Sequence, residues 1–271
     1  MAKQGQKYLH GFDRKEQDRL LAQARFLEPY VYAGVDLDFQ KNLLEVGCGV
    51  GAQTDILCRR FPDLKVTGVD LSTEQLAVAQ KILKPLVAKG RVSLHRQDAQ
   101  KLKLLKKNYD AAFLCWFLEH VPQPLTVLKK VKQHLRPGAK IYCSEVFNQT
   151  LFLEPYSPAF IKYWFEFNDL QYAMNGHPFV GAKLGHLLKE AGFKDIKTEA
   201  RVFHFDSREP ERRAAFTEYF YNILLSAEKP LVESGRVDQK LLKAMKREVE
   251  IVKKAKDAVF FYSFIRATGV V

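Results

Sequence analysis

Residues 43–54, Leu-Leu-Glu-Val-Gly-Cys-Gly-Val-Gly-Ala-Gln-Thr, run from an apolar strand through a glycine-rich turn into a helix. No other stretch restricts the fold as much. Glycines at 47, 49 and 51 admit tight turns with positive φ and let the backbone approach a ligand with no Cβ in between, at the N-terminus of a helix. The next apolar run, Val-Thr-Gly-Val-Asp, closes on Asp70, and a carboxylate at such a strand end can accept both hydroxyls of a ribose. Turn and acid together imply a nucleoside-containing ligand.

Gly47-x-Gly49-x-x-Ala52 also satisfies the looser dinucleotide pattern, so the turn alone leaves a nicotinamide nucleotide open. Glu45 ahead of the first glycine, the third glycine at 51 and a second acid at Asp98, after the run Arg91–Arg96, separate the two readings. Together with Gln-Asp-Ala at 97–99, Tyr-Asp-Ala-Ala-Phe-Leu-Cys at 109–115 and the Leu-Arg-Pro-Gly-Ala-Lys turn at 135–140, these motifs resemble the class I S-adenosylmethionine-dependent methyltransferases. Within them the chain is most similar to the small-molecule, quinone or type 11 branch. Order and spacing match through residues 43–146, then more loosely to about residue 206 and again at 259–269.

Five short apolar runs, 42–47, 65–70, 91–96, 109–115 and 139–146, alternate with segments of helical spacing, which specifies a doubly wound parallel sheet. Ser72 is placed to cap a helix over Ser72–Leu86, with Gln75 completing a capping-box pattern and Pro85 and Gly90 ending it. Lys194–Asp206 and Ala258–Thr268 read as a final pair of strands. The resemblance therefore implies an α/β, Rossmann-like sheet of seven strands, the last antiparallel, with helical lid insertions. A single domain is expected, composed of an N-terminal helical cap (1–41), a cofactor-binding core (42–146), an aromatic lid insertion (147–180), a core helix and strand (181–206), a basic helical insertion (207–257) and the last strand (258–271). In the cap, Asp13 is placed to start a helix carrying Leu20, Leu21, Ala24 and Leu27 on one face. Residues 207–257 read as two amphipathic helices split around Pro230–Gly235.

In an open parallel sheet, ligands bind beyond the carboxyl ends of the strands where strand order reverses. By the resemblance, Gly47, Cys48 and Gly49 pack against the methionine part and ribose of S-adenosylmethionine, and Glu45 buttresses the turn from behind. Asp70 holds the ribose diol, Leu71 lies against adenine, Asp98 takes the adenine amino group and the backbone of Ala99 meets the ring. The main chain at Cys115 or Trp116 accepts the ammonium of the methionine moiety, and S-adenosylhomocysteine is the product. Methyl transfer from a sulfonium is a direct displacement, so alignment and exclusion of water supply much of the rate. A base is needed only where the acceptor carries a proton that must leave. His120 follows strand four and is the candidate, with a cleft-shaping task as its alternative; His10, His177 and His204 rank below it. Cys48, at a helix N-terminus, is either a reactive thiol or a small residue that fits.

Ten aromatic side chains fall between Phe147 and Phe179, a density that favours an apolar, planar or cationic amine acceptor. Tyr8, Trp164 and Tyr172 are the candidate acceptor contacts. The net charge of +12 invites a nucleic acid or anionic surface as partner. Residues 236–256 carry eight basic and three acidic side chains above the apolar stripe Leu241, Leu242, Met245, Val249 and Val252, and Lys101, Lys103, Lys106 and Lys107 form a second basic run. Strand four lacks the Asn/Asp-Pro-Pro-aromatic motif with which amino-directed nucleic-acid enzymes grip a flipped base, so a small-molecule acceptor is preferred, with a protein or RNA acceptor as the alternative. The four cysteines have no metal spacing, no metal is expected, and reduced thiols are expected. No apolar run approaches a membrane span and Met-Ala-Lys-Gln-Gly-Gln-Lys lacks the apolar stretch of a signal peptide, from which a cytoplasmic location is expected. Oligomeric state leaves no trace in the sequence.

Overall fold

The computed structural model describes residues 14–105 and 107–271; Tyr8, His10, Asp13 and Lys106 lie outside the described residues. Its elements begin α1 (Arg14–Val31), β1 (Asn42–Val46), α2 (Ala52–Arg60), β2 (Lys65–Asp70), α3 (Thr73–Ile82), α4 (Lys84–Ala88), β3 (Val92–Arg96) and β4 (Tyr109–Cys115). They continue α5 (Pro124–Lys132), β5 (Leu135–Val146), β6 (Phe152–Glu154), α6 (Pro158–Ala173), α7 (Val180–Glu190) and β7 (Lys194–Phe205). The chain closes with α8 (Pro210–Ser226), α9 (Glu228–Glu233), α10 (Gln239–Lys254) and β8 (Val259–Val270). Short 3-10 turns follow β3 at Ala99–Lys101 and β4 at Leu118–His120.

Two compact units emerge. The larger holds residues 14–145, 180–199 and 265–271, and the smaller holds 146–179 and 200–264. Strands β7 and β8 each contribute to both. In the larger unit the strand order is β3-β2-β1-β4-β5-β8. β1 pairs in parallel with β2 (Leu44 opposite Thr67) and with β4 (Leu44 opposite Ala112), so the order reverses between β1 and β4. A core of branched aliphatic residues, Leu44, Val46, Leu114, Ile141, Leu128 and Leu184 among them, fills its interior. The C-terminus of α1 ends on a buried cation: the Arg266 guanidinium on β8 donates to the carbonyls of Tyr30, Val31 and Ala33, where a helix leaves acceptors unsatisfied.

The smaller unit is built on rings. Phe203, Phe216, Phe220, Phe260 and Tyr262 pack at centroid distances between 4.6 and 6.2 Å through their own contacts and those with Phe205. Glu248 on α10 accepts from the backbone N–H groups of Ala159 (3.1 Å) and Phe160 (2.8 Å), which satisfies the first turn of α6 with a negative charge at its positive end. β6 pairs antiparallel with the first part of β8, Leu153 opposite Phe260.

Among the described residues the sheet carries eight strands against the seven expected, the addition being the three-residue β6, too short to show any period. The helix expected over Ser72–Leu86 is two helices broken at Leu83; Ser72 Oγ does accept from Gln75 N at 3.1 Å, and Pro85 falls in the first turn of the second helix, where a missing N–H costs nothing. By the same rule Pro230 sits in the first turn of α9, and the region 207–257 holds three helices in place of two. Among the described residues no helix is long and apolar enough to cross a membrane.

Candidate active site

The register of the larger unit brings the nucleoside-type elements to one edge of the sheet. Gly47 N and Cys48 N both donate to Val69 O (2.9 and 3.1 Å), locking the turn after β1 to the end of β2. Gly47 has φ +77, and a Cβ there would lie 2.2 Å from the Phe117 ring, so conformation and packing both require glycine. Gly49 has φ +51, yet a Cβ there would meet nothing within 4 Å. The space beside its Cα is therefore open.

Asp70 joins the pieces. Its Oδ2 accepts from Gly49 N and its Oδ1 from Ser72 N, both at 2.9 Å, so one carboxylate spans the glycine turn and the start of α3. The carboxylate retains acceptor capacity for a ligand hydroxyl. Burial pushes the Asp70 carboxyl above its ordinary range, an effect opposed by the Ser72, Gly49 and Leu71 N–H groups and by the charge of His120. Leu71 beside it is exposed. Gln97 N donates to Asp70 O at 2.9 Å, which carries the end of β3 to the same edge, and Asp98 Oδ1 caps the following 3-10 turn through Gln100 N at 2.9 Å with Ala99 buried beneath it.

Glu45 lies behind the turn, fully buried, where its Oε2 accepts from Thr54 Oγ1 on α2 at 2.6 Å. Burial raises its pKa to about 8; the Thr54 bond opposes that rise and the Asp70 charge adds to it. Cys48 is buried too, and its thiol is pushed well above the usual value by burial and by Glu45 and Asp70. That environment opposes a reactive thiolate and leaves Cys48 as the small residue that fits. The thiol of Cys115, at the end of β4, is raised by burial as well.

Beyond Cys115 the chain turns sharply, with Trp116 at φ +49, a region that non-glycine residues enter only when the surroundings hold them there. The holder is β5. Trp116 N donates to Ser144 O at 2.8 Å, and the buried carboxylate of Glu145 accepts from Phe117 N (3.0 Å), Leu118 N (2.7 Å) and Glu119 N (3.4 Å). His120 closes this turn, its Nε2 at 3.6 Å from Glu119 Oε1. Glu145 has no counterpart among the residues singled out from sequence. The readable signal was a carboxylate inside an otherwise apolar strand, Ile-Tyr-Cys-Ser-Glu-Val.

Of the candidate acceptor contacts, Trp164 and Tyr172 belong to the smaller unit. Trp164 is buried, stacked on Phe167 at 5.1 Å, and its Nε1 donates to Asn148 O at 2.7 Å, so its ring packs that unit's interior. Tyr172 is 59% exposed, with its ring edge on His177. His204 packs against Phe261.

Residues 44–143 match a family model described as a methyltransferase domain. An O-methyltransferase, cnsE, of Penicillium expansum is 31% identical over 58% of this chain and 53% of its own length. A demethylmenaquinone methyltransferase of Lactococcus lactis is 30% identical over 60% of this chain and 63% of its own. The chain thus spans less than two thirds of either relative. Among solved structures, phosphoethanolamine N-methyltransferase 2 of Haemonchus contortus superposes with a TM-score of 0.55 at 19% identity, over 93% of this chain and 52% of the other, a likeness of fold. With the glycine turn, the strand-end acids and the strand reversal assembled in one unit, residues 44–143 form a domain similar to those of S-adenosylmethionine-dependent methyltransferases.

Proposed function

We propose that the protein transfers a methyl group from S-adenosylmethionine to a small, apolar, aromatic or amine acceptor. One observation carries the cofactor part: Asp70 is bonded to Gly49 of the glycine turn, so the acid suited to a ribose diol and the turn suited to close backbone approach form one rigid cradle. The residues fit the group. Gly49 has room above its Cα, Asp70 keeps acceptor capacity for a ribose hydroxyl, Leu71 offers an apolar surface to adenine and Asp98 an acceptor for an amino group. The cofactor supplies an electrophilic methyl on a sulfonium, and the chain's part is to hold it in line with the acceptor. Cys115 and Trp116 offer main-chain oxygens to the ammonium, and His120 removes a proton where the acceptor has one to lose.

The acceptor class rests on the aromatic segment 147–180 and on relatives named for O-methylation and demethylmenaquinone. A protein or RNA acceptor remains the alternative because of the basic α10. Some of that charge is already engaged: Lys246 pairs with Glu228 at 2.8 Å, and Lys253 pairs with Glu218 and with Glu250. Titration calorimetry tests the core of the reading. Saturable binding of S-adenosylhomocysteine with none of NADH is expected, and the reverse would overturn it. Methyl-labelled S-adenosylmethionine offered with small amines, phenols and quinols, beside total RNA and cell protein, should label the small molecules; label only in the macromolecules would favour the alternative.

A further inference from the structure

We infer that Glu145 is a positioning residue, whose carboxylate aims the main chain after β4 at the cofactor by accepting three successive backbone N–H groups. The inference rests on the cofactor reading above. Ser144 and Glu145 together anchor four consecutive amides, Trp116 through Glu119, one through a backbone carbonyl and three through one side chain. These peptide units are trans, so each carbonyl points opposite to the N–H of its own unit. With the N–H groups of 116–119 turned onto β5, the carbonyls of Cys115, Trp116, Phe117 and Leu118 turn away from it. Phe117 O is then met by His120 N at 3.0 Å and Leu118 O by Val121 N at 3.4 Å, which forms the turn bearing His120. Cys115 O and Trp116 O, the two preceding carbonyls, are those assigned to the ammonium.

The left-handed Trp116 supports the same account. A strained residue persists where its surroundings over-determine it, and here a fully buried acid fixes the three residues that follow. Nothing about packing alone calls for a carboxylate at the end of β5, since a methionine of similar volume would fill the space without the cost of burying an acid. The titratable groups facing Glu145 are Glu119 on the 3-10 turn, Cys115 at the end of β4 and Cys143 on its own strand, with Arg266 acting on Cys115 from β8.

Glu145→Met and Glu145→Gln separate hydrogen bonding from volume and from charge. The glutamine keeps an oxygen for Phe117 N and Leu118 N, so it should bind S-adenosylhomocysteine within about threefold of the native protein, whereas the methionine variant should lose about tenfold or more. A folded Glu145→Met protein with native affinity would overturn the inference, as would equal losses in both variants, which would make the charge rather than the acceptor oxygens the active element. Should Glu145→Met not fold, the native protein still decides. The amide protons of Phe117 and Leu118 should titrate together, lose that titration in Glu145→Gln, and change its midpoint when S-adenosylhomocysteine saturates the protein; a midpoint indifferent to the cofactor would overturn the inference. Native protein that gives no heat with S-adenosylhomocysteine would instead overturn the cofactor reading, and this inference with it.

Discussion

Asp70 and Glu45 are both acids of the nucleoside turn, yet their surroundings give them opposite tasks. Asp70 accepts from the N–H groups of Gly49 and Ser72, and on the proposed reading it is the ribose acceptor, so Asp70→Ala would remove that acceptor and also release Gly49 N and Ser72 N. Cofactor affinity should fall by about 1.5–3 kcal/mol, the scale of hydrogen bonds to a charged group. An unchanged dissociation constant in a folded variant would remove Asp70 from the site. Glu45 is wholly enclosed and reaches Thr54, with its pKa raised to about 8 from an ordinary 4.5. An acid whose folded pKa is raised stabilises the fold fully below the unfolded value, and that contribution is lost as pH climbs through the folded one. Native stability from this group should therefore decline between about pH 4.5 and pH 8. Glu45→Gln, which keeps an oxygen for Thr54 but cannot ionise, should gain on the native protein in denaturant midpoint as pH rises across that window; a constant difference would show that Glu45 titrates alike in the folded and unfolded chain.

Elements were legible where their signals were local. The apolar runs 42–47, 65–70 and 109–115 appear as strands ending within a residue of those bounds, because each is a short hydrophobic burst closed by glycine, acid or a turn. The Ser72 cap was equally local. What escaped were the break at Leu83, the three-residue β6 and the short α9, each too brief for a period to accumulate. The site divides the same way. Glycines and strand-end acids announce themselves within a dozen residues, whereas the tie between Glu145 and Phe117 joins residues 28 apart, and that between Arg266 and Val31 joins residues 235 apart. Arg266→Met tests the second tie: stranding the buried carbonyls at the end of α1 should cost about 1–3 kcal/mol in denaturant unfolding. No loss would mean that water replaces the guanidinium there.

For the molecule as a whole, the open question is which surface chooses the acceptor, and burial decides which substitutions can answer it. Trp164→Ala would remove an interior ring at a cost of about 3–5 kcal/mol and confound activity with folding, whereas Tyr172 is exposed and can be cut back cleanly. Tyr172→Ala should slow transfer to a small acceptor while leaving the melting temperature and cofactor affinity nearly native. On α10, Lys243 and Arg247 are exposed, while Lys246 and Lys253 hold ion pairs whose reversal would disturb the helix itself. Reversing only Lys243 and Arg247 to glutamate should leave small-molecule transfer intact; loss of activity, together with a steep fall of affinity with salt, would favour a polyanionic acceptor. The chain's two tryptophans also fall one to each unit, half-buried Trp116 in the larger and buried Trp164 in the smaller. Each unit thus carries its own intrinsic fluorophore. Trp164→Phe leaves an emission that reports on the larger unit and should respond to an adenine-bearing ligand, and Trp116→Phe leaves one that reports on the smaller. Coincident unfolding curves from the two single-tryptophan proteins would identify one cooperative transition, and separated curves would give each unit a stability of its own.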